Sequence, residues 1–181
     1  MRFWEKFSRI TFDFISRFSR AQIQVKSIES VLKNAVSLID PVSLNQLKSY
    51  VINLQISEGG FPDRAGKCDV YYSLFGCYVS EALGITETNV ALKEYVNKTV
   101  RTNTLKGVNL QSAVILYAKL FGPDTFPKQL RESVISDLSQ SGNQLPVYST
   151  FLSLLTYYYL KDFKAIHHLI KSIDAIGQPD E

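Results

Sequence analysis

The sequence predicts an all-α fold of stacked helical hairpins, and three observations carry that expectation. Apolar residues recur at helical spacing along nearly the whole chain, and no segment sustains the alternation of a strand. Helix ends and other positions also repeat at a constant step. Gly84, Gly122 and Leu160 stand 38 residues apart, as do Ser73, Gln111 and Ser149, and Leu54, Leu92 and Leu130. A period in that range belongs to hairpins that each bury one face against their neighbours. Finally, apolar and charged helices alternate. Segments 69–83, 108–121 and 146–160 are richer in apolar and aromatic residues, while those between carry Lys93, Glu94, Lys98 and Arg101, or Lys128, Arg131, Glu132 and Asp137. A helix apolar nearly all round is buried on two sides and an amphipathic one on a single side, which predicts an inner and an outer layer.

The elements follow in order. Phe3, Phe7, Ile10, Phe14 and Phe18 form one stripe, with Arg2, Lys6, Arg9, Arg17 and Arg20 largely off it. Residues 1–22 therefore read as a basic, aromatic amphipathic helix, distinct from a hairpin-repeat domain over 23–177. Such a helix suits a membrane surface, through residues 1–20, or a cap over the open side of the array. A second stripe occupies positions 28, 31, 32, 35, 36 and 39; Asp40-Pro41 breaks it, and helical spacing resumes at Leu44, Leu47, Val51 and Leu54. Asp69 is the expected N-cap of a helix that runs to Leu83 and stops at Gly84. Later helices fit 88–101, 109–121, 126–140, 146–161 and 163–174, punctuated by Gly107, Gly122-Pro123, Ser141-Gly142 and Pro146.

The 181 residues suit one domain, 45% of them hydrophobic and 20% charged. A net charge of +3 is too small to imply a nucleic-acid partner over the whole surface. Cys68 and Cys77 do not make a disulfide framework and fit a reducing compartment. No apolar run approaches the roughly 20 residues that span a bilayer, and the charges among the first twenty residues do not suit a secretory signal. The expected location is cytoplasmic, at most peripheral at a membrane.

The most informative stretch is residues 58–76, EGGFPDRAGKCDVYYSLFG. Gly59 and Gly60 allow positive φ and a tight reversal between helices. Phe61 suits a plug between hairpins, and Asp69 an acceptor for the free N–H groups of the next turn. Arg64 and Lys67 then fall near a helix N-terminus, where backbone N–H groups favour anions. The same residues serve equally as a structural turn, with Arg64 paired to Asp63 or Asp69.

The string Gln55-Ile56-Ser57-Glu58-Gly59-Gly60-Phe61, then Asp63-Arg64, Gly66-Lys67, Asp69 and Tyr72-Ser73-Leu74-Phe75-Gly76, resembles the repeat of protein prenyltransferase β-subunits and terpenoid cyclases. The resemblance is clear over 55–84 and rests elsewhere on the hairpin period. It implies part of an α/α toroid, with inner and outer helices around a cavity. It also implies an isoprenoid ligand, with Arg64, Lys67 and Tyr72 on the pattern that holds a diphosphate and Tyr71, Phe75 and Tyr78 on the apolar wall. The catalytic signatures depart from the family. Asp69 matches one zinc ligand, but Tyr71 and Tyr72 stand where the Cys and His would be, and the acidic cluster of the cyclases is missing. No metal, cofactor or catalytic residue is therefore assigned; an enzyme of this group would be a prenyl or terpenoid transferase or cyclase. A closed ring takes about six hairpins, and this chain offers three or four. The expected function is binding of an isoprenoid or other apolar (lipid-like) ligand along the aromatic inner helices. The alternative is a non-catalytic scaffold whose open arc is closed by a partner chain or a second copy.

Overall fold

The structure, a computed structural model, describes residues 28–102, 105–140 and 147–176. The amphipathic segment 1–22 lies outside the described residues. Eight helices are described: α1 over 28–37, α2 (Pro41–Leu54), α3 (Val70–Leu83), α4 (Asn89–Thr102), α5 (Gly107–Phe121), α6 (Lys128–Gln140), α7 (Val147–Tyr159) and α8 (Phe163–Ile176). The all-α expectation holds, with one addition. Phe61–Pro62 (β1) and Cys68–Asp69 (β2) pair antiparallel, so the glycine-rich stretch is a small β-hairpin between α2 and α3.

Local chemistry sets most boundaries. Asp40 Oδ1 accepts the N–H groups of Val42 and Ser43 at 3.0 and 3.1 Å and starts α2 with Pro41 in its first turn. Asp69 Oδ1 does the same for Tyr72 N–H at 3.0 Å. Gly84 ends α3 in the left-handed region (φ 69°), its N–H bonded back to Glu81 and the next N–H, of Ile85, to Ser80. The helix expected to begin at residue 126 starts at Lys128, because Phe126 precedes Pro127 and is steered from helical geometry. The expected equivalence of Leu160 with Gly84 is off by one. Lys161 is the left-handed residue (φ 58°), and Asp162 N–H returns to Tyr157 as Ile85 N–H returns to Ser80.

Helices α3, α5 and α7 pack side by side as an inner row, with α5 between the other two. Around them, α2 packs on α3, α4 on α3 and α5, α6 on α5, and α8 on α7. Every residue of α5 from Leu110 to Ala118 is buried, while α4 buries only Leu92, Val96 and Thr99. That is the inner and outer division its composition implied. One continuous core runs through the row, with Leu74, Leu92, Ile115, Leu116, Leu152 and Leu155 at its centre. Among the described residues, no helix is long and apolar enough to cross a membrane.

Candidate functional site

The β-hairpin shows what the glycine-rich stretch does locally. Gly59 has φ 91°, and a Cβ there would strike the backbone of Ala91 on α4, so this glycine is required twice over. Gly60 is different from expectation: its φ is not positive. It is confined by space, since a Cβ would meet Cys68 Sγ, Ser73 Oγ and the ring of Tyr95. Phe61 is only 2% exposed, and its ring lies where any Gly76 side chain would go. Its N–H donates to Ser73 Oγ at 2.9 Å. Gln55 Nε2 then donates to the carbonyls of Gly59 (2.7 Å) and Thr88 (2.9 Å), tying the hairpin to the start of α4. The stretch is a joint between successive helical hairpins.

At the tip of this joint, Asp63 Oδ1 accepts the N–H groups of Ala65 and Lys67 at 2.8 and 2.9 Å. The side chains of Arg64 and Lys67 are exposed there. The N–H of Tyr72, in the first turn of α3, is already taken by Asp69. Tyr71 meets Tyr72 and Phe75 edge-on, with centroids 5.5 and 5.0 Å apart.

The cavity that matters lies farther along α3. An apolar groove of about 330 Å³ runs between α1, α3 and α7. Ile28, Val31 and Leu32 form one wall, Phe75, Tyr78 and Val79 a second, and Phe151 with Leu152 and Leu155 a third. Two of the sequence-predicted wall residues, Phe75 and Tyr78, line it; Phe75 is 44% exposed at the groove and Tyr78 is buried. Tyr71 touches this wall through Phe75. Arg64, Lys67 and Tyr72 are not among the lining residues, so the structure does not bring the expected diphosphate group to the groove.

Tyr78 is also the wall between the groove and a smaller polar pocket of about 200 Å³, lined by Glu29, Lys33, Glu81 and Ala82. Beside it sits a cluster that the sequence reading missed. Lys119 of α5, with its side chain 5% exposed, reaches Glu29 of α1 and Glu81 of α3, both at 2.8 Å. Its ammonium lies 4.4 Å from the centroid of the Tyr78 ring, a cation–π contact. Burial works to lower the Lys119 pKa, but the bonds to the two carboxylates outweigh it and hold the group firmly protonated. Burial pushes the Tyr78 and Tyr159 phenols up. Part of the cluster had a signal in the sequence. Glu81 and Lys119 are one 38-residue step apart, and so are neighbours in adjacent inner helices.

Cys77, buried on α3, has its thiol pushed up to about 12, by burial first and then by the Glu81 charge. It is a poor thiolate donor as placed. Among the described residues, no three His, Cys, Asp or Glu side chains converge as metal ligands. His167 and His168 lie on α8, ring against ring. Compared with protein-family models, with curated proteins and with solved structures, the chain gives no match.

Proposed function

We propose that the chain binds an elongated apolar ligand, an isoprenoid or a lipid-like chain of similar girth, in the groove between α1, α3 and α7. The observation that carries this reading is the groove itself: its described lining residues are all aliphatic or aromatic, and about 330 Å³ sits at the small end of ligand sites. The family-like joint over 55–84 supports an isoprenoid among apolar chains. The apolar tail is the recognised part, because Arg64 and Lys67 stand away from the groove, on the joint's exposed tip. The free, half-buried Cys68 and buried Cys77 suit a reducing, cytoplasmic setting.

Titration calorimetry with farnesol and farnesyl diphosphate tests the reading. Both should bind with comparable affinity, and Arg64→Ala/Lys67→Ala should leave both unchanged. Phe75→Asp, at a half-open position, should weaken both at least about tenfold by putting a charge on the apolar wall. Absence of binding by either ligand would refute the proposal. A clear preference for the diphosphate, lost in the double variant, would move the site to the joint.

A second reading, the scaffold, is favoured by one observation. Val42 and Tyr50 on α2 are 67% and 61% exposed, and Leu38 beside them is 87% exposed. Exposed apolar side chains at this end of the array suit burial by a partner chain or a second copy. Sedimentation velocity distinguishes it, since Tyr50→Glu would dissociate a self-associated form.

A further inference from the structure

One wall of the groove is held unlike the other two. Leu74, Leu152 and Leu155 are buried parts of the core, whereas no residue of α1 from 28 to 37 is buried. Helix α1 stops at residue 37, and after it Asp40 uses its carboxylate to start α2 afresh. The joint at 38–40 thus leaves the start of α2 independent of where α1 lies. Among the described residues, the polar tie from α1 to the inner row is the Glu29–Lys119 pair.

The surroundings of that pair suit repeated parting. Lys119 has Glu81 on its other side at the same 2.8 Å and the Tyr78 ring beneath it. Losing Glu29 therefore does not strand a buried charge, which is what makes breaking a buried pair costly. Glu29 is itself 38% exposed and passes into water when it leaves. A segment with little buried surface opens locally at far lower cost than the whole fold.

We propose that α1 is a latched lid on the apolar groove, with Glu29 as the latch and Lys119 as its fixed keeper, so that ligand entry and release require this pair to part. The inference deepens the reading of the groove as a ligand site and rests on it. Lys119 and Glu29 are positioning residues here; neither belongs to the apolar lining.

Two measurements on the full chain test the lid, using Nile red as an uncharged apolar probe. The first is hydrogen exchange of residues 28–37 without probe; the second is stopped-flow release of bound probe. Glu29→Gln should speed exchange in 28–37 and raise the release rate by about fivefold or more, as expected for losing one partly buried ion pair. Glu81→Gln keeps the latch while loosening the keeper's second partner, so it should lower the melting temperature yet leave both readouts within about twofold of wild type. Added NaCl should speed release in wild type and not in Glu29→Gln. Wild-type exchange and release in Glu29→Gln would overturn the proposal, as would equal acceleration in both variants, which would mean general loosening. If wild type binds no Nile red, the ligand-site reading falls by itself. Faster 28–37 exchange in Glu29→Gln alone would then still support the latch, and unchanged exchange would overturn it too.

Discussion

Gly60 separates two reasons for a glycine that look identical in a sequence. Two adjacent glycines before Phe61 suggest positive φ at both, but only Gly59 adopts it. At Gly60 the constraint is the thiol, hydroxyl and ring packed around it, and these come from β2, α3 and α4. Backbone freedom can be guessed from neighbours in sequence; a filled space cannot. Gly60→Ala should therefore cost about 1–3 kcal/mol by overpacking, read as a lower midpoint in urea unfolding. Cys68→Ala in the same chain should recover part of that loss by removing the nearest atom. Gly66, with open space around it, is the control: Gly66→Ala should cost about 1 kcal/mol from its positive φ alone and gain nothing from Cys68→Ala. Equal behaviour of the two glycines would refute the distinction.

At the scale of helices and joints, what was legible depended on how far apart the interacting residues lie. Asp40, Asp69 and Gly84 mark helix ends because capping is settled within a few residues, and all three fall where the sequence places them. The layers were legible too, since an all-round apolar helix such as α5 has only one place to go. The one-residue slip at Lys161 was not, because glycine marks the first two ends and the third is taken by a lysine at positive φ. The groove and its latch were further out of reach: Glu29 and Lys119 are 90 residues apart. Gln55 is the joint's own test. Its amide serves two carbonyls, one from the turn and one from Thr88, at the start of the next hairpin. Gln55→Ala leaves both without that donor and should cost about 1–3 kcal/mol. Chemical denaturation would measure this, and an unchanged midpoint would mean the two hairpins are held together by packing alone.

The molecule as a whole buries several groups that hold their protons more tightly when folded. Cys77 moves from an ordinary 9.0 up to about 12 through burial, and burial raises Tyr78 and Tyr95 as well. Lys119 is also raised, because its bonds to Glu29 and Glu81 outweigh its desolvation. In each case the unfolded chain releases the proton at a lower pH than the folded one. Stability contributed by these groups is thus complete below about pH 9 and falls as pH rises above it, by about 1.4 kcal/mol per pH unit for each group titrating only in the unfolded state. Urea unfolding between pH 7 and 10.5 should show a plateau and then a decline, and Cys77→Ala should delay its onset. A level profile through pH 10 would contradict this.

The inner row also has an electrical direction. Glu81 of α3 meets Lys119 of α5 one repeat step away, near the C-terminal ends of both helices, so these inner helices run parallel. Parallel neighbours align their peptide dipoles, and each contributes about half a negative elementary charge at its C-terminal end. Side by side, those ends repel one another. Lys119 lies in the last turn of α5, in the middle of the row, and is the cation at those ends, shared between Glu29 and Glu81. At the opposite end the signs reverse: Asp69 accepts an N–H of α3, and Asp137 accepts the N–H of Gly107 at 3.0 Å at the start of α5. The keeper of the latch is thereby also the cation at the negative end of the central inner helix, standing between two carboxylates that would otherwise add to its field.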